Sequence, residues 1–402
     1  TGTLNDQMAI AQKNYNGGAR SAVTLTNDGG TINLSGNKSI AIVADYGEIY
    51  NKSGSTVTIS GKDGIGLLGA NGSLIRNNGT IKIGEDGVGI YGANLLDPLS
   101  PPPAYGDQKI EIENNAKIEG LAAVNGKAYG IIADNTKVAM ADSQVTLGNT
   151  SNIDMSLSDN SVGVYANNST LGVNGTVITG KNGVGIFAKE TNTTINSGFN
   201  LSLAGNDSLG IYTDGTQGVN VLGTVNALVT GTDSVLFNFD STGTVTGLGQ
   251  NLLINPTSTG TFSLGSIMNN QFDFSNAAAN TVNLGNGNAA TGINAKNSAV
   301  RYGSNVSVNG GSASQTGMAL DGTSSVGFIP GYTNYEGINE GSINLTGDKT
   351  AGIYSKNGAR VINTGDIKVG TNSAGIFAKN GGKIANTGVV EVGANSQGLV
   401  LN

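Results

Sequence analysis

The chain has 402 residues, of which 12% are charged and 37% hydrophobic, and its formal net charge is −7. Its few, scattered Lys and Arg residues argue against nucleic acid or an anionic membrane as a partner, since both require clustered cations. Without Cys or His, the chain cannot form disulfides, thiolate nucleophiles or the usual catalytic triads. We therefore expect an ordered, acidic protein that is not an enzyme and holds no cofactor or metal.

A phrase of about 23 residues recurs along the chain, and it predicts the fold. It reads DGVGIYGAN at residues 86–94 and TAGIYSKN at 350–357. Fixed-period similarity indicates one supersecondary unit stacked many times. The glycine that marks the phrase recurs at Gly66, Gly89, Gly130, Gly163, Gly185, Gly210, Gly292, Gly317, Gly352, Gly375 and Gly398.

Each clean repeat contains three short patterns with period two, at 351–355, 361–363 and 367–369 in one copy. In the first pattern, alternation predicts that Ala351 and Ile353 face inward. Three strands in each coil of about 23 residues predict an all-β, right-handed parallel β-helix of roughly 15 coils with loop insertions, spanning 1–402. A β-sandwich array and a propeller are the alternative folds, but both have longer periods and hairpin turns.

Asparagines fall at the same corner of several predicted coils. Asn51 and Asn77 occupy this position early in the chain, and Asn363 and Asn386 occupy it late. In register, their amides would stack into a ladder in which each side chain bonds to the next coil. We interpret these asparagines as structural.

Two motifs in the early coils resemble ligand sites but follow from the repeat. The sequences at 64–69 and 87–92 match G-x-G-x-x-G, yet no helix pattern follows either of them, as a dinucleotide site requires. The acidic turns at Asp63 and Asp86 could suggest calcium, but other copies replace them with neutral residues. We therefore predict neither nucleotide nor metal binding here.

A Pro-rich insertion is predicted at 95–118, where four of the six prolines interrupt the repeat. Prolines cannot donate to a strand ladder, so this segment should be a semi-rigid protruding loop. Binding residues concentrate on loops that a rigid scaffold holds. Leu95, Leu96, Pro98 and Tyr105 are therefore candidate binding residues.

Glu111 and Glu113 lie on one predicted strand face, about 6.6 Å apart. This separation is near that of an inverting glycosidase pair. The alternative is a strand with Ile110 and Ile112 inward and both carboxylates in water. We favour the alternative, because no further carboxylates gather in the register.

An aromatic stripe is predicted on the outer face of the first strand. By alternation, its rings should share a face with the marker glycines and cover the bare glycine backbone of a neighbouring coil. A stacking platform for a sugar or a protein is the functional alternative. The stripe contains Tyr91, Tyr165, Phe187, Tyr212, Tyr354 and Phe377.

Two later regions also depart from the repeat. Residues 249–290 have a degenerate pattern and predict shorter or distorted coils. An aromatic loop insertion is predicted at 323–340, in which Phe328, Tyr332 and Tyr335 are candidate binding residues. Alternatively, this loop folds back and caps the flank of the β-helix.

The repeats VGIFAK at 184–189, AGIYSKNG at 351–358 and AGIFAKNG at 374–381 resemble passenger repeats of type Va autotransporters, most closely the very large fusobacterial outer-membrane adhesins. Such passengers are long β-helices on the bacterial cell surface that bind host receptors, glycans or partner bacteria. The resemblance implies an upstream signal peptide and a C-terminal membrane β-barrel, both expected outside these 402 residues. It supplies no binding motif for this chain.

The sequence therefore favours a cell-surface adhesin fragment that binds a host protein, a glycan or a partner bacterium through loops on a β-helical stalk. A carbohydrate-active enzyme on a β-helix is the first alternative, and it would require an acidic or Lys/Arg cluster on one face. A purely structural stalk or a toxin passenger is the second alternative.

Overall fold

The computed structural model of the chain describes residues 2–13, 24–94, 109–122, 126–135, 143–285, 287 and 289–402. This part of the chain is a parallel β-solenoid of about 14 coils with almost no helix, as the repeat predicts. The chain divides into two compact units, residues 1–217 and residues 218–402.

In the first unit, each coil contributes one strand to each of three parallel stacks. The first stack contains β1 (Met8–Lys13), β4 (Ile40–Asp45), β7 (Ile65–Ala70), β10 (Val88–Ala93), β13 (Tyr129–Asp134), β16 (Val162–Asn167), β19 (Val184–Lys189) and β22 (Leu209–Gly215). The second stack contains β2 (Thr24–Asn27), β5 (Glu48–Asn51), β8 (Leu74–Asn77), β11 (Glu111–Asn114), β14 (Ser143–Leu147), β17 (Ser169–Val173) and β20 (Asn192–Ile195). The third stack contains β3 (Thr31–Leu34), β6 (Thr56–Ile59), β9 (Thr80–Ile83), β12 (Lys117–Gly120), β15 (Asn152–Asp154), β18 (Thr176–Thr179) and β21 (Phe199–Leu203).

The second unit repeats this plan. Its first stack contains β25 (Ser234–Ser241), β28 (Phe262–Met268), β31 (Thr291–Lys296), β34 (Thr316–Asp321), β37 (Ala351–Lys356), β40 (Ala374–Lys379) and β43 (Gln397–Leu401). Its second-position strands are β23 (Val219–Val221), β26 (Val245–Thr246), β29 (Gln271–Phe274), β32 (Ala299–Tyr302), β35 (Gly337–Asn339), β38 (Arg360–Asn363) and β41 (Lys383–Asn386). Its third-position strands are β24 (Val225–Val229), β27 (Leu252–Ile254), β30 (Asn280–Gly285), β33 (Val306–Gly310), β36 (Ser342–Leu345), β39 (Asp366–Val369) and β42 (Val389–Val392).

The predicted degenerate region, 249–290, retains its strands but interrupts the second-position sheet. The two-residue strand β26 is followed by α1 (Leu248–Asn251), and a new sheet starts at β29. Gly247 precedes α1 with φ of 75°, a conformation that glycine adopts without steric cost. The third-position strand β30 carries a register shift between Asn283 and Gly285. The irregular sequence pattern of 249–290 thus corresponds to coils that are complete but locally distorted.

Strict alternation in the first strand was a wrong prediction. Ala351 is partly exposed, whereas Gly352 and Ile353 are both buried. A Cβ atom on Gly352 would lie 2.4 Å from Cγ2 of Ile367 and 2.5 Å from the carbonyl oxygen of Gly375. The marker glycine therefore faces the lumen, because only a residue without a side chain fits between the third strand and the next coil. Consequently, the outer aromatic rings do not share a face with the glycines.

The lumen differs between the two units. In the first unit, the inward positions of the first strand hold aliphatic residues such as Ile90, Ile131 and Ile186. The early coils of the second unit hold rings, with the centroids of Phe237 and Phe272 5.2 Å apart. The buried rings of this region are Phe237, Phe239, Phe262, Phe272, Phe274 and Tyr302. Large rings fill a cross-section that small β-branched residues fill elsewhere.

The predicted asparagine ladder is confirmed in both units. In the first unit, Nδ2 of Asn51 donates to Oδ1 of Asn77 at 2.8 Å, and Nδ2 of Asn77 donates to Asn114 at 2.7 Å. In the second unit, Asn363 donates to Asn386 at 2.8 Å. Asn51, Asn77 and Asn363 are fully buried, so these bonds satisfy amides that water cannot reach.

Candidate functional site

Among the described residues, the main departure from the coil plan is the segment between β34 and β35, residues 322–336, which we call the flank insertion. It overlaps the predicted loop 323–340, of which residues 337–339 form β35. Ile338 on β35 shares the outer face of the second-position sheet with Ile362, yet it is fully buried. Ile329 and Ala299 pack with Ile338 in a small apolar cluster. The flank insertion therefore folds back over the outer face of this sheet.

The three candidate aromatic residues of this insertion are each partly buried. Tyr332 and Tyr335 pack against the apolar cluster around Ile338. The ring of Phe328 lies 4.9 Å from Cζ of Arg360. These rings attach the insertion to the sheet, and their role in ligand binding stays a prediction. The exposed part of the insertion includes Val326, whose exposed fraction is 43%.

A buried ion pair holds the C-terminal end of the insertion. Glu336 has no exposed surface, and its carboxylate accepts bonds from the backbone N–H of Arg360 at 2.7 Å and from the Arg360 guanidinium at 2.8 Å. The hydrogen bond to Glu336 raises the pKa of Arg360 above its usual value. A charge buried in this way requires a partner with good geometry, which the guanidinium fork provides.

A second cluster, which we call the arginine cluster, gathers around Arg301 on β32. The Arg301 guanidinium binds Glu340 at 2.8 Å and lies 3.6 Å from Asp273, its neighbour in the strand register. The Tyr332 hydroxyl donates to Glu340, and the Tyr332 ring lies 5.4 Å from Cζ of Arg301. Burial and the contact with Glu340 raise the pKa of Tyr332. One cation thus links two carboxylates and the flank insertion.

Beside this cluster lies a groove of about 410 Å³, which we call the flank groove. Its walls are the turn that contains α1, the start of β29 and the exposed edge of the flank insertion. It is lined by Thr244, Val245, Thr246, Gly247, Leu248, Gly249, Gln250, Asn270, Gln271, Asp273, Val326 and Pro330. Amide, hydroxyl and carboxylate groups therefore share one concave surface with a comparable amount of apolar surface, a composition suited to binding a ligand that has both polar and apolar parts.

Side chains fix the groove from both sides. Gln271 Nε2 donates to the carbonyl oxygens of Val326 and Phe328, at 3.2 and 3.4 Å, and so ties β29 to the insertion. On the opposite wall, Gln250 Nε2 donates to Asp273 at 3.3 Å. Hydrogen bonds between residues of this chain therefore fix both walls of the groove.

The other predicted binding residues, Leu95, Leu96, Pro98 and Tyr105, lie outside the described residues, and their role stays a prediction. Within the predicted insertion 95–118, residues 111–114 form the regular strand β11.

The carboxylates of this strand are engaged in an ordinary surface arrangement. Ile112 is fully buried, whereas Glu111 and Glu113 are partly exposed. Glu113 accepts a bond from Arg76 at 3.0 Å on the neighbouring coil. This arrangement matches the favoured prediction of a strand with its isoleucines inward.

The outer aromatic stripe exists in both units. Phe187 makes edge contacts with Tyr165 and Tyr212, at 5.2 and 4.8 Å between centroids. Tyr354 and Phe377 stack at 5.6 Å. The rings therefore contact one another along the coil direction. In the first unit, neighbouring rings are nearly perpendicular, at 84° and 87°, so they do not present one flat stacking platform.

Sequence reasoning missed the arginine cluster and the flank groove. Asp273, Arg301 and Glu340 are 28 and 39 residues apart, so no local motif links them. The register of the second-position strands could have placed Asp273 beside Arg301, but the distorted coils hid that register. Among the described residues, no three Asp or Glu side chains lie close enough together to hold a metal ion. Nor does this part of the chain contain a helix long and apolar enough to cross a membrane.

No protein-family model matches the chain, and no curated protein matches its sequence.

Proposed function

We propose that this chain is a fragment of a bacterial cell-surface adhesin, in which a β-solenoid stalk carries a binding surface on one flank. The observation that carries this proposal is the flank groove, which is concave, lined by both polar and apolar groups and bounded by the main described departure from the repeat. An insertion that is fixed to the sheet and borders a groove is the arrangement expected of a binding site on a rigid scaffold.

The chemistry of the groove supports a polar ligand such as a glycan or a polar segment of a host protein. Asp273 supplies a carboxylate, while Gln250 and Gln271 supply amides, and these groups can bind hydroxyls in a fixed geometry. Val326 and Pro330 offer apolar contact at the rim. The resemblance of the repeats to autotransporter passengers supports a location on the outer cell surface, with a partner on a host cell or another bacterium.

The test is binding of the purified 402-residue chain to a glycan array and to a panel of host-cell surface proteins. A double variant, Gln250→Ala with Asp273→Ala, removes polar groups from the groove. Asp366→Ala is the matched control, because Asp366 is an exposed carboxylate on a regular strand of the same unit. We expect the double variant to lose at least about tenfold in affinity, while the control binds like the parent.

A third variant tests the Pro-rich segment by replacing residues 95–105 with Gly and Ser. Loss of binding only in this variant would move the proposed site to Leu95, Leu96, Pro98 and Tyr105. If the parent binds no glycan and no protein of the panel, the stalk alternative replaces the adhesin proposal.

The arginine cluster favours one second candidate, a carbohydrate-active enzyme. Two carboxylates, a guanidinium and a tyrosine hydroxyl meet beside the groove, and such groups serve in sugar chemistry. However, Arg301 engages both carboxylates, Asp273 at 3.6 Å and Glu340 at 2.8 Å. Incubation with a polysaccharide panel and measurement of new reducing or unsaturated ends would test this candidate. New ends that disappear in Glu340→Gln would support an enzyme.

A further inference from the structure

The outer face of the first stack in the first unit is apolar over seven consecutive coils. Two columns of outward side chains run along it, three residues apart in each strand. The left column contains Ile40, Ile65, Val88, Tyr129, Val162, Val184 and Leu209. The right column contains Val43, Leu68, Tyr91, Ile132, Tyr165, Phe187 and Tyr212. All fourteen are partly exposed, so together they form one continuous apolar face.

In several coils, a large side chain in one column stands beside a smaller side chain in the other column. Val162 stands beside Tyr165, and Val184 stands beside Phe187. The coil with a large left residue, Tyr129, has the smaller Ile132 on the right. A surface facing this one would therefore fit best if it presented a small residue opposite each large one, coil by coil.

A second copy of this face meets that requirement in one orientation. When a two-fold axis runs parallel to the coil axis, the left column of one copy faces the right column of the other at the same coil. Tyr165 then faces Val162, and Phe187 faces Val184. Equal coil spacing, about 4.8 Å in both copies, keeps the match along the whole face. A two-fold contact of this kind is self-complementary and closed.

Charges beside the two columns follow the same rule in two of the seven coils. Lys38 and Lys127 flank the left column, and each lies two residues before the left-column residue of its coil. Two residues beyond the right column, the same coils hold Asp45 and Asp134. The two-fold arrangement brings these opposite charges to the same side of the contact. The other five coils do not follow the rule: four carry at most one charge at these two positions, and the coil of Leu209 has an aspartate on both sides.

We propose that the first unit associates side by side with a second copy of this chain through this apolar face, with both copies pointing the same way. This inference is independent of the proposed binding function. Seven coils and two columns cover about 29 Å by 15 Å on each copy, which buries roughly 900 Å² in a pair. Interfaces of this size are weak, so we expect a dimer at high protein concentration.

The test is sedimentation equilibrium of the full chain at concentrations up to about 1 mM. Val162→Lys and Tyr165→Glu each place a charge in the apolar contact and should weaken the dimer at least about tenfold. An equal mixture of the two variants should dimerise about tenfold more strongly than either alone, because the new charges face each other across the two-fold axis. In an antiparallel arrangement about the middle coil, the two substituted positions do not meet.

Tyr354→Glu is the matched control, since Tyr354 holds the equivalent outer position in the second unit, and it should leave dimerisation unchanged. Circular dichroism melts check that each variant folds. Val184→Lys with Phe187→Glu is a second pair that repeats the test if the first pair misfolds. A monomer at every concentration, equal dimerisation of all variants, or no recovery in the mixture would each overturn the proposal.

Discussion

The two units share one coil plan but differ in where their apolar surface lies. The first unit has a lumen that is aliphatic apart from Phe199, and a continuous apolar outer face on its first stack. The second unit has a lumen filled with rings in its early coils, while the matching outer positions are the polar residues Asn238, Ser266 and Asn294. It also carries the flank insertion and the groove. The comparison teaches that the repeat determines the backbone, whereas the outward positions determine what each unit can contact.

The largest effect should come from a charge placed in the lumen of either unit. Ile353→Asp in the second unit and Ile186→Asp in the first each bury an unpaired carboxylate between coils, because both isoleucines are fully buried. We expect a loss of about 4–5 kcal/mol in the free energy of unfolding of the affected unit. Calorimetry would measure it, and limited proteolysis would show which unit opens first. Unchanged melting of either variant would contradict the inward position of that side chain.

The next largest effect should show how the lumens of the two units differ in the stability cost of removing one side chain. Phe272→Ala removes a buried ring from the second unit, and Ile112→Ala removes the smaller side chain at the equivalent position of the first. We expect losses of about 4 and about 3 kcal/mol, since the cost grows with the cavity that remains. Urea unfolding monitored by circular dichroism would measure both. Equal or reversed costs would show that the ring-filled lumen collapses around the cavity.

A smaller effect should be confined to the flank insertion. Glu336→Ala leaves the partly buried Arg360 without its carboxylate and should cost about 3 kcal/mol. Hydrogen exchange of residues 322–336 should accelerate, and the groove should lose one wall. Glu391→Ala is the control, because Glu391 and its partner Lys368 are more than half exposed, and it should change stability by less than about 0.5 kcal/mol. Slow exchange of the insertion in Glu336→Ala would mean that the apolar cluster alone holds it.

We expect the smallest effect from removing the charge of one surface carboxylate in each unit. A hydrogen bond from the backbone N–H of Lys127 lowers the pKa of Asp86, and one from Asn357 lowers the pKa of Asp321. Because the folded-state pKa lies below the unfolded value of 3.8 in both cases, each carboxylate stabilises its unit above that pH. This stabilisation is lost as the pH falls through the folded-state pKa.

Asp86→Asn and Asp321→Asn should therefore each cost a few tenths of a kcal/mol at pH 7 and almost nothing at pH 2. Melting temperatures at the two pH values would measure the difference. A cost that persists at pH 2 would indicate that the amide substitution disturbs the turn itself, independent of charge.

The sequence predicted the fold class, the three strands in each coil and the asparagine ladder, because these follow from a period that every coil repeats. It did not predict the inward glycine. Alternation assumes evenly pleated strands, whereas Gly352 and Ile353 are buried side by side where two coils approach closely.

The candidate site was less accessible to sequence reasoning. The flank insertion was predicted as a departure from the repeat, and its aromatic residues were chosen for their exposure in a loop. The structure gives those rings apolar and cationic partners instead, because Ile338 offers them an apolar surface that the alternation of β35 alone did not reveal. The groove depends on residues from three separate coils, so only their assembled positions could define it.

The column of glycines also determines the smallest step, one whole coil, by which the length of this chain can change. Each marker glycine fits against the carbonyl of the next one, as Gly163 does with Gly185 and Gly185 with Gly210. Removing or duplicating one whole coil joins equivalent glycines again, while any other length change must be absorbed in a corner loop. Recombination between coils could therefore lengthen or shorten such a protein in steps of about 4.8 Å without redesigning its interior.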